Sequence, residues 1–206
     1  VKAHRDRVVI ATKCGYARSL ENPDDWSLDN RPEFIRRAAD ASLQRLGVEV
    51  IDLYYLHRRS SEVPLAESIG AMAELVKTGK VRALGLSAVS ADELREACGI
   101  HPIAALQSEW SIFTRTIEAE IVPAAARLGV TIVPYSPLGR GMLTGKAFAN
   151  GIGAGDARKH FPRFSPENLD ANMRLVATIE DIAASLRVSP AQVALAWLYG
   201  KARELD

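Results

Sequence analysis

Five short apolar runs in this sequence each end on side chains that can donate, accept or carry charge. "VVIATK" ends at Lys13, "VIDLYYLH" at His57 and "VRALGLS" at Ser87. "IAALQSEW" carries Gln107 and Glu109, and "VTIVPYSP" carries Tyr135 and Ser136. A lysine that closes a buried strand either reaches solvent along its own stem or serves as a Schiff-base nucleophile. A strand-end histidine is either satisfied by backbone or used for proton chemistry near neutral pH. Other chemistries lack their residues. His4, His57, His101 and His160 are scattered, with no HExxH and no Cys/His cluster of metal-ligand spacing. Cys14 and Cys98 form no CxxC and read as two structural thiols in a reduced compartment. Gly145-Lys146 is followed by Ala147, so the Gly-rich stretch is no Walker motif.

The elements that would position these groups alternate. Strands are expected at 8–11, 50–57, 81–87, 103–110 and 130–137. The first reads as a strand buried on both faces, because Val8 to Ala11 is an unbroken apolar run. Helices are expected from Pro32 to Gly47, with Asn30 or Asp29 as cap, and from Pro64 to Lys77. Further helices are expected from Ala91 to Cys98, Thr116 to Leu128, Ser165 to Leu186, and from Ser189, which stands at capping-box spacing from Gln192. Residues 139–165 form a Gly-rich insertion too long to be a simple connector. Strict β-α alternation implies a parallel sheet covered by helices. No GxGxxG follows the first strand, which disfavours a doubly wound dinucleotide fold. A (β/α) barrel places its chemistry at the carboxyl ends of its strands, where the five polar positions fall.

Composition narrows the function classes. The 206 residues are 48% hydrophobic and 25% charged, with a net charge of +1. Such a chain can bury one substantial core. The balanced charge argues against nucleic acid or an anionic membrane as the main partner. No apolar run reaches membrane-span length, and "VKAHRDR" has no signal-peptide character, so a cytoplasmic location is expected. The oligomeric state is not readable.

The strand ends resemble the aldo-keto reductase family. The matching stretches are "VVIATKCG", "SLQRLGVEVIDLYYLHR", "GKVRALGLS", "ALQSEWS", "VPYSPLGRGMLTG" and "SPAQVALAWL", in the family's order. The resemblance implies an eight-stranded (β/α) barrel that binds NADP(H) without a Rossmann domain. It also implies hydride transfer to a small-molecule aldehyde or ketone, with a tyrosine as proton donor. On this reading Lys13 and His57 are the active-site lysine and histidine. An ammonium beside a phenol favours phenolate and brings the acid closer to working pH. His57 would hydrogen-bond the carbonyl oxygen. Ser87 and Gln107 match positions that bind the nicotinamide carboxamide, and Tyr135 matches the residue stacked on the nicotinamide ring. Ser136, Pro137, Leu138, Gly139, Arg140 and Gly141 match the stretch under the pyrophosphate. A barrel lyase with a Schiff base on Lys13 leaves Gln107, Tyr135 and "SPLGRG" unexplained.

The chain departs from the family pattern in three respects. Ala88 stands where the family often has Asn. None of Tyr16, Tyr54, Tyr55, Tyr135 and Tyr199 sits in the catalytic-tyrosine context. Tyr16 reads as a loop residue. The resemblance further implies a single barrel domain over residues 1–206 that is truncated at both ends, with about five of eight strands. The catalytic tyrosine, the aspartate paired with the lysine, and the segment that binds the 2′-phosphate would lie outside it. A non-catalytic reductase-like protein that binds a nucleotide or a partner is the alternative expectation.

Overall fold

A computed structural model describes residues 2–18, 21, 25–145, 152–153 and 155–203. Five strands, β1 (Ala11–Cys14), β2 (Ile51–Leu56), β3 (Val81–Ser87), β4 (Ile103–Glu109) and β5 (Thr131–Tyr135), lie in the sheet in chain order. β1 to β4 pair in parallel. Among the described residues six α-helices alternate with and follow them: α1 (Pro32–Leu46), α2 (Leu65–Lys77), α3 (Ala91–Ile100), α4 (Ile121–Leu128), α5 (Pro166–Leu186) and α6 (Pro190–Arg203). The chain forms two compact units. The first holds residues 1–108 and 118–133, and the second holds 109–117 and 134–206.

In the first unit the helices bury one stripe each against the strands. α1 buries Ile35, Ala39 and Ser42, and α2 buries Leu65, Ile69, Met72 and Leu75. These meet Ile51, Tyr54 and Leu56 of β2 and Val81, Leu84 and Leu86 of β3 in one core. Gly47 ends α1 at φ 64°, a left-handed conformation that costs glycine least. Cys14 lies in this core, and burial pushes its thiol up to about 12. The second unit has a smaller core of Met142, Phe164 and Val176.

Four expected boundaries need correction. The first strand is not a doubly buried run at 8–11. It begins at Ala11, and Val9 is 77% exposed. Among the described residues β1 stands at the end of the sheet order and pairs with β2 alone, and no second strand covers the segment before it. Arg31, not Asn30 or Asp29, takes the N-cap position of α1, and no side chain caps the helix. The Asn30 side chain is committed elsewhere, with Oδ1 accepting from Ser60 N at 2.6 Å. The expected helix 116–128 splits into a 3-10 turn, Thr116–Glu118, and α4. Pro123 supplies the reason: its ring would clash with the Ala119 carbonyl if the helix ran through. β5 stops at Tyr135 because Ser136 turns to φ 52°. The capping pair expected at α6 forms, with Ser189 N donating to Gln192 Oε1 and Gln192 N to Ser189 Oγ. Part of the Gly-rich insertion, 146–151 and 154, lies outside the described residues. Its remainder holds the 3-10 turns Gly139–Thr144, Ala157–His160 and Pro162–Phe164.

At the amino ends of the strands, Asp52 ties β2 to the segment before β1. Its Oδ2 accepts from Ile10 N at 2.8 Å and pairs with Arg5 at 2.7 Å, and its Oδ1 pairs with Arg82 at 2.6 Å. The Arg5 hydrogen bond, then the Ile10 amide and the two charges, hold the carboxyl below its ordinary value against the cost of burial. A carboxyl depressed in the fold contributes stability above its unfolded pKa of about 3.9 and loses it as pH falls through the folded value. Asp52→Asn is expected to cost about 2 kcal/mol at pH 7. The deficit should shrink towards pH 3. Urea melts at both pH values measure it, and an equal deficit at both would refute the assignment.

Candidate active site

In the first unit the parallel register of β1 and β2 sets Lys13 beside Tyr55 and Cys14 beside Leu56. His57 follows directly and donates its backbone N–H to the Cys14 carbonyl at 2.8 Å. Lys13 is exposed. Its Nζ stands 5.7 Å from the Tyr55 ring centroid, within cation–π range. The lysine thus reaches solvent as one sequence reading expected, and it does so beside the histidine. His57 is half-buried. Burial first, then the charges of Arg58 and Lys13, hold its imidazole below the ordinary value. A ring held neutral near pH 7 keeps one N–H to donate and one lone pair to accept.

Tyr55 needs room, and Gly85 provides it. The two residues are in register across β2 and β3, and a Cβ at 85 would overlap the Tyr55 ring. At the end of β3 the Ser87 hydroxyl is buried, and its Oγ accepts from Arg58 Nη1 at 3.0 Å. Ser87 is in register with Gln107, and the Ala88 N–H donates to the Gln107 carbonyl at 2.9 Å. Ala88 takes φ 53°, a left-handed conformation that asparagine tolerates better than alanine. The loop after β1 folds back through an antiparallel bridge between Tyr16 and Leu28. Its Tyr16 ring meets His57 edge-on at 5.1 Å and Trp26 edge-on at 5.6 Å. The Arg18 guanidinium covers the Trp26 ring at 4.0 Å. Position in sequence marked Tyr16 only as a loop residue; the bridge brings it to the histidine.

In the second unit Tyr135 accepts a hydrogen bond at its carbonyl from Trp110 N, and the chain then turns sharply. Ser136, Gly139, Arg140 and Gly141 all have positive φ. Gly139 N donates to the Ser136 carbonyl, and the Leu138 carbonyl, just past Pro137, accepts from Gly141 N and Leu143 N. One carboxylate anchors this loop. Glu109 accepts from Arg140 at 3.0 Å, from Arg163 at 2.9 Å and from Thr114 Oγ1 at 3.0 Å. Two guanidinium groups thus share one carboxylate, leaving one positive charge in excess in this cluster. Arg140 Nε and Arg163 Nη1 are buried without a hydrogen-bond partner among the described residues. Such donors suit an anionic group, which would satisfy both charge and hydrogen bonding. Arg163 and Arg58 were not singled out from sequence. Arg58 stood inside the quoted "LHR", while Arg163 contacts a residue 54 positions away. Among the described residues no cluster of three or more metal-ligating side chains occurs, and no helix is long and apolar enough to cross a membrane.

Alternating strands and helices, with polar groups gathered at the carboxyl ends of the strands, define a (β/α) barrel type of protein. The chain belongs to the Aldo/keto reductase family, whose sequence profile matches residues 1–204. Probable aldo-keto reductase 1 of Glycine max is 47% identical over 194 residues, 94% of this chain and 56% of that protein. Aldo-keto reductase yakc [NADP(+)] of Schizosaccharomyces pombe is 40% identical over 205 residues, 98% of this chain and 60% of that protein. The solved glycerol dehydrogenase AKR11B4 of Gluconobacter oxydans superposes with a TM-score of 0.87 at 30% identity, covering 96% of this chain and 62% of that one. The chain therefore spans less than two thirds of the length of these relatives. The family and the incomplete α/β barrel fold read from the sequence both stand.

Proposed function

We propose that the protein acts as an NADPH-dependent reductase of aldehydes or ketones. The observation that carries this reading is Lys13 and His57 at adjacent ends of β1 and β2, with the imidazole kept neutral. The Schizosaccharomyces pombe relative, named for NADP(+), supports the choice of cofactor. A reduced nicotinamide, when bound, supplies the hydride. Ser87 and Gln107 hold its carboxamide, and Tyr135 offers a ring face for stacking. Ser136, Pro137, Leu138, Gly139, Arg140 and Gly141 receive the pyrophosphate, with Arg140 and Arg163 supplying charge. His57 donates a hydrogen bond to the substrate oxygen and orients the carbonyl. The Lys13 ammonium stabilises the phenolate of a tyrosine placed beside it, which eases that tyrosine's release of a proton.

The chain is expected to bind NADPH saturably, read by energy transfer from tryptophan to the nicotinamide. Arg140→Ala should weaken binding about tenfold, the worth of a charge-assisted hydrogen bond. Absence of saturable binding of any nicotinamide nucleotide would sink the proposal.

A further inference from the structure

Arg58 has no role in the reading above, yet it links two groups that do. Its Nη1 carries two hydrogens. One goes to the His57 carbonyl at 2.7 Å and the other to Ser87 Oγ at 3.0 Å. A single nitrogen therefore fastens the end of β2 to the end of β3. Backbone continues the staple to β4, where Ala88 N binds the Gln107 carbonyl. The hydroxyl of Ser87 is 1% exposed, so its partners are decided by protein and ligand rather than by water. An oxygen that accepts from a guanidinium is left with its own proton to give. That proton must find an acceptor, and the oxygen of a carboxamide is one. The guanidinium charge also acts on the His57 imidazole, as the Lys13 charge does, and that ring meets the Tyr16 phenol ring edge-on. Two cationic charges acting on the ring disfavour a third.

We propose that Arg58 is a positioning residue: it fixes the His57 peptide and sets the Ser87 hydroxyl as a donor towards the nicotinamide carboxamide. The carboxamide clause rests on the NADPH reading; the His57 clause does not. The guanidinium holds its two hydrogens in a fixed plane, which an ammonium on a flexible stem does not reproduce. Charge and geometry are therefore separable by substitution.

The test uses the full chain with three substitutions, Arg58→Met, Arg58→Lys and Ser87→Ala, each checked for an unaltered melting profile. The imidazole of His57 is titrated by NMR without nucleotide, and NADPH affinity is measured by fluorescence. Arg58→Met should raise the His57 midpoint, and Arg58→Lys should leave it low. Both should weaken NADPH binding about tenfold, the worth of one hydrogen bond to a charged group. Combining Arg58→Met with Ser87→Ala should weaken binding no further than either alone. An unmoved His57 midpoint in Arg58→Met overturns the proposal whether or not nucleotide binds. Additive losses in the double variant overturn the link through Ser87. Loss of NADPH affinity in neither Ser87→Ala nor Arg140→Ala, with a shifted His57 midpoint, faults the cofactor reading and leaves the Arg58–His57 coupling standing.

Discussion

Gly85→Val is expected to unfold the first unit or leave it barely stable. The β3 backbone passes directly under the Tyr55 ring, and any side chain at 85 occupies ring volume. Tyr55 is 2% exposed and is flanked by the core strands, so it has little free space to enter. Overpacking of this kind typically costs about 1–3 kcal/mol, and backbone displacement within a sheet adds to it. A small domain holds only about 5–15 kcal/mol in reserve. Gly85→Ala, with one carbon, should already cost roughly 2 kcal/mol. Shrinking the ring should restore part of the loss, so Tyr55→Leu combined with Gly85→Ala is expected to melt above Gly85→Ala alone. Urea denaturation of the four chains decides the matter, and a Gly85→Ala chain as stable as its parent would refute the close approach. The same ring lies beneath the Lys13 ammonium, so the substitution disturbs the candidate site along with the fold.

Glu109→Ala is expected to have the largest effect in the second unit. The carboxylate is the common partner of Arg140, Arg163 and Thr114. Its removal leaves two guanidinium groups close together with no counter-charge between them. Breaking a partly buried network in this way costs about 3 kcal/mol. Glu109→Gln keeps the shape and an acceptor oxygen and should lose about half as much. Nucleotide binding separates the consequences further. If Arg140 must be held over the pyrophosphate, Glu109→Ala weakens NADPH even at temperatures where the chain remains folded. A change within about 0.5 kcal/mol, the usual range for surface substitutions, would count against the network.

Some features of this protein were legible because they are local. Gly47 and the Ser189–Gln192 pair are written in neighbouring residues, and both appear where expected. The polar strand ends were legible because a buried run cannot continue through a charge. Pro123 was also local, but its effect depends on which carbonyl lies four residues back, and the apolar pattern around it masks the break. The solvent-facing valines before β1 depend on how many neighbours that strand has, which no run of residues discloses. Arg58, Tyr16 and Arg163 share that difficulty. Arg58 meets Ser87 across 29 residues, and Tyr16 meets His57 only after the loop folds back at Leu28. Their partners come from strand register and loop closure rather than spacing.

The placement of Cys14 has a consequence for chemical labelling. It adjoins Lys13 in sequence but sits in the apolar core, with its thiol pushed up to about 12. Thiolate is the form that electrophiles and oxidants attack, so this sulfur is silent at physiological pH. The strand pleat thus separates an exposed lysine from a cysteine shielded against reaction, one residue apart. Thiol-directed reagents will leave this end of the sheet unlabelled while the chain is folded.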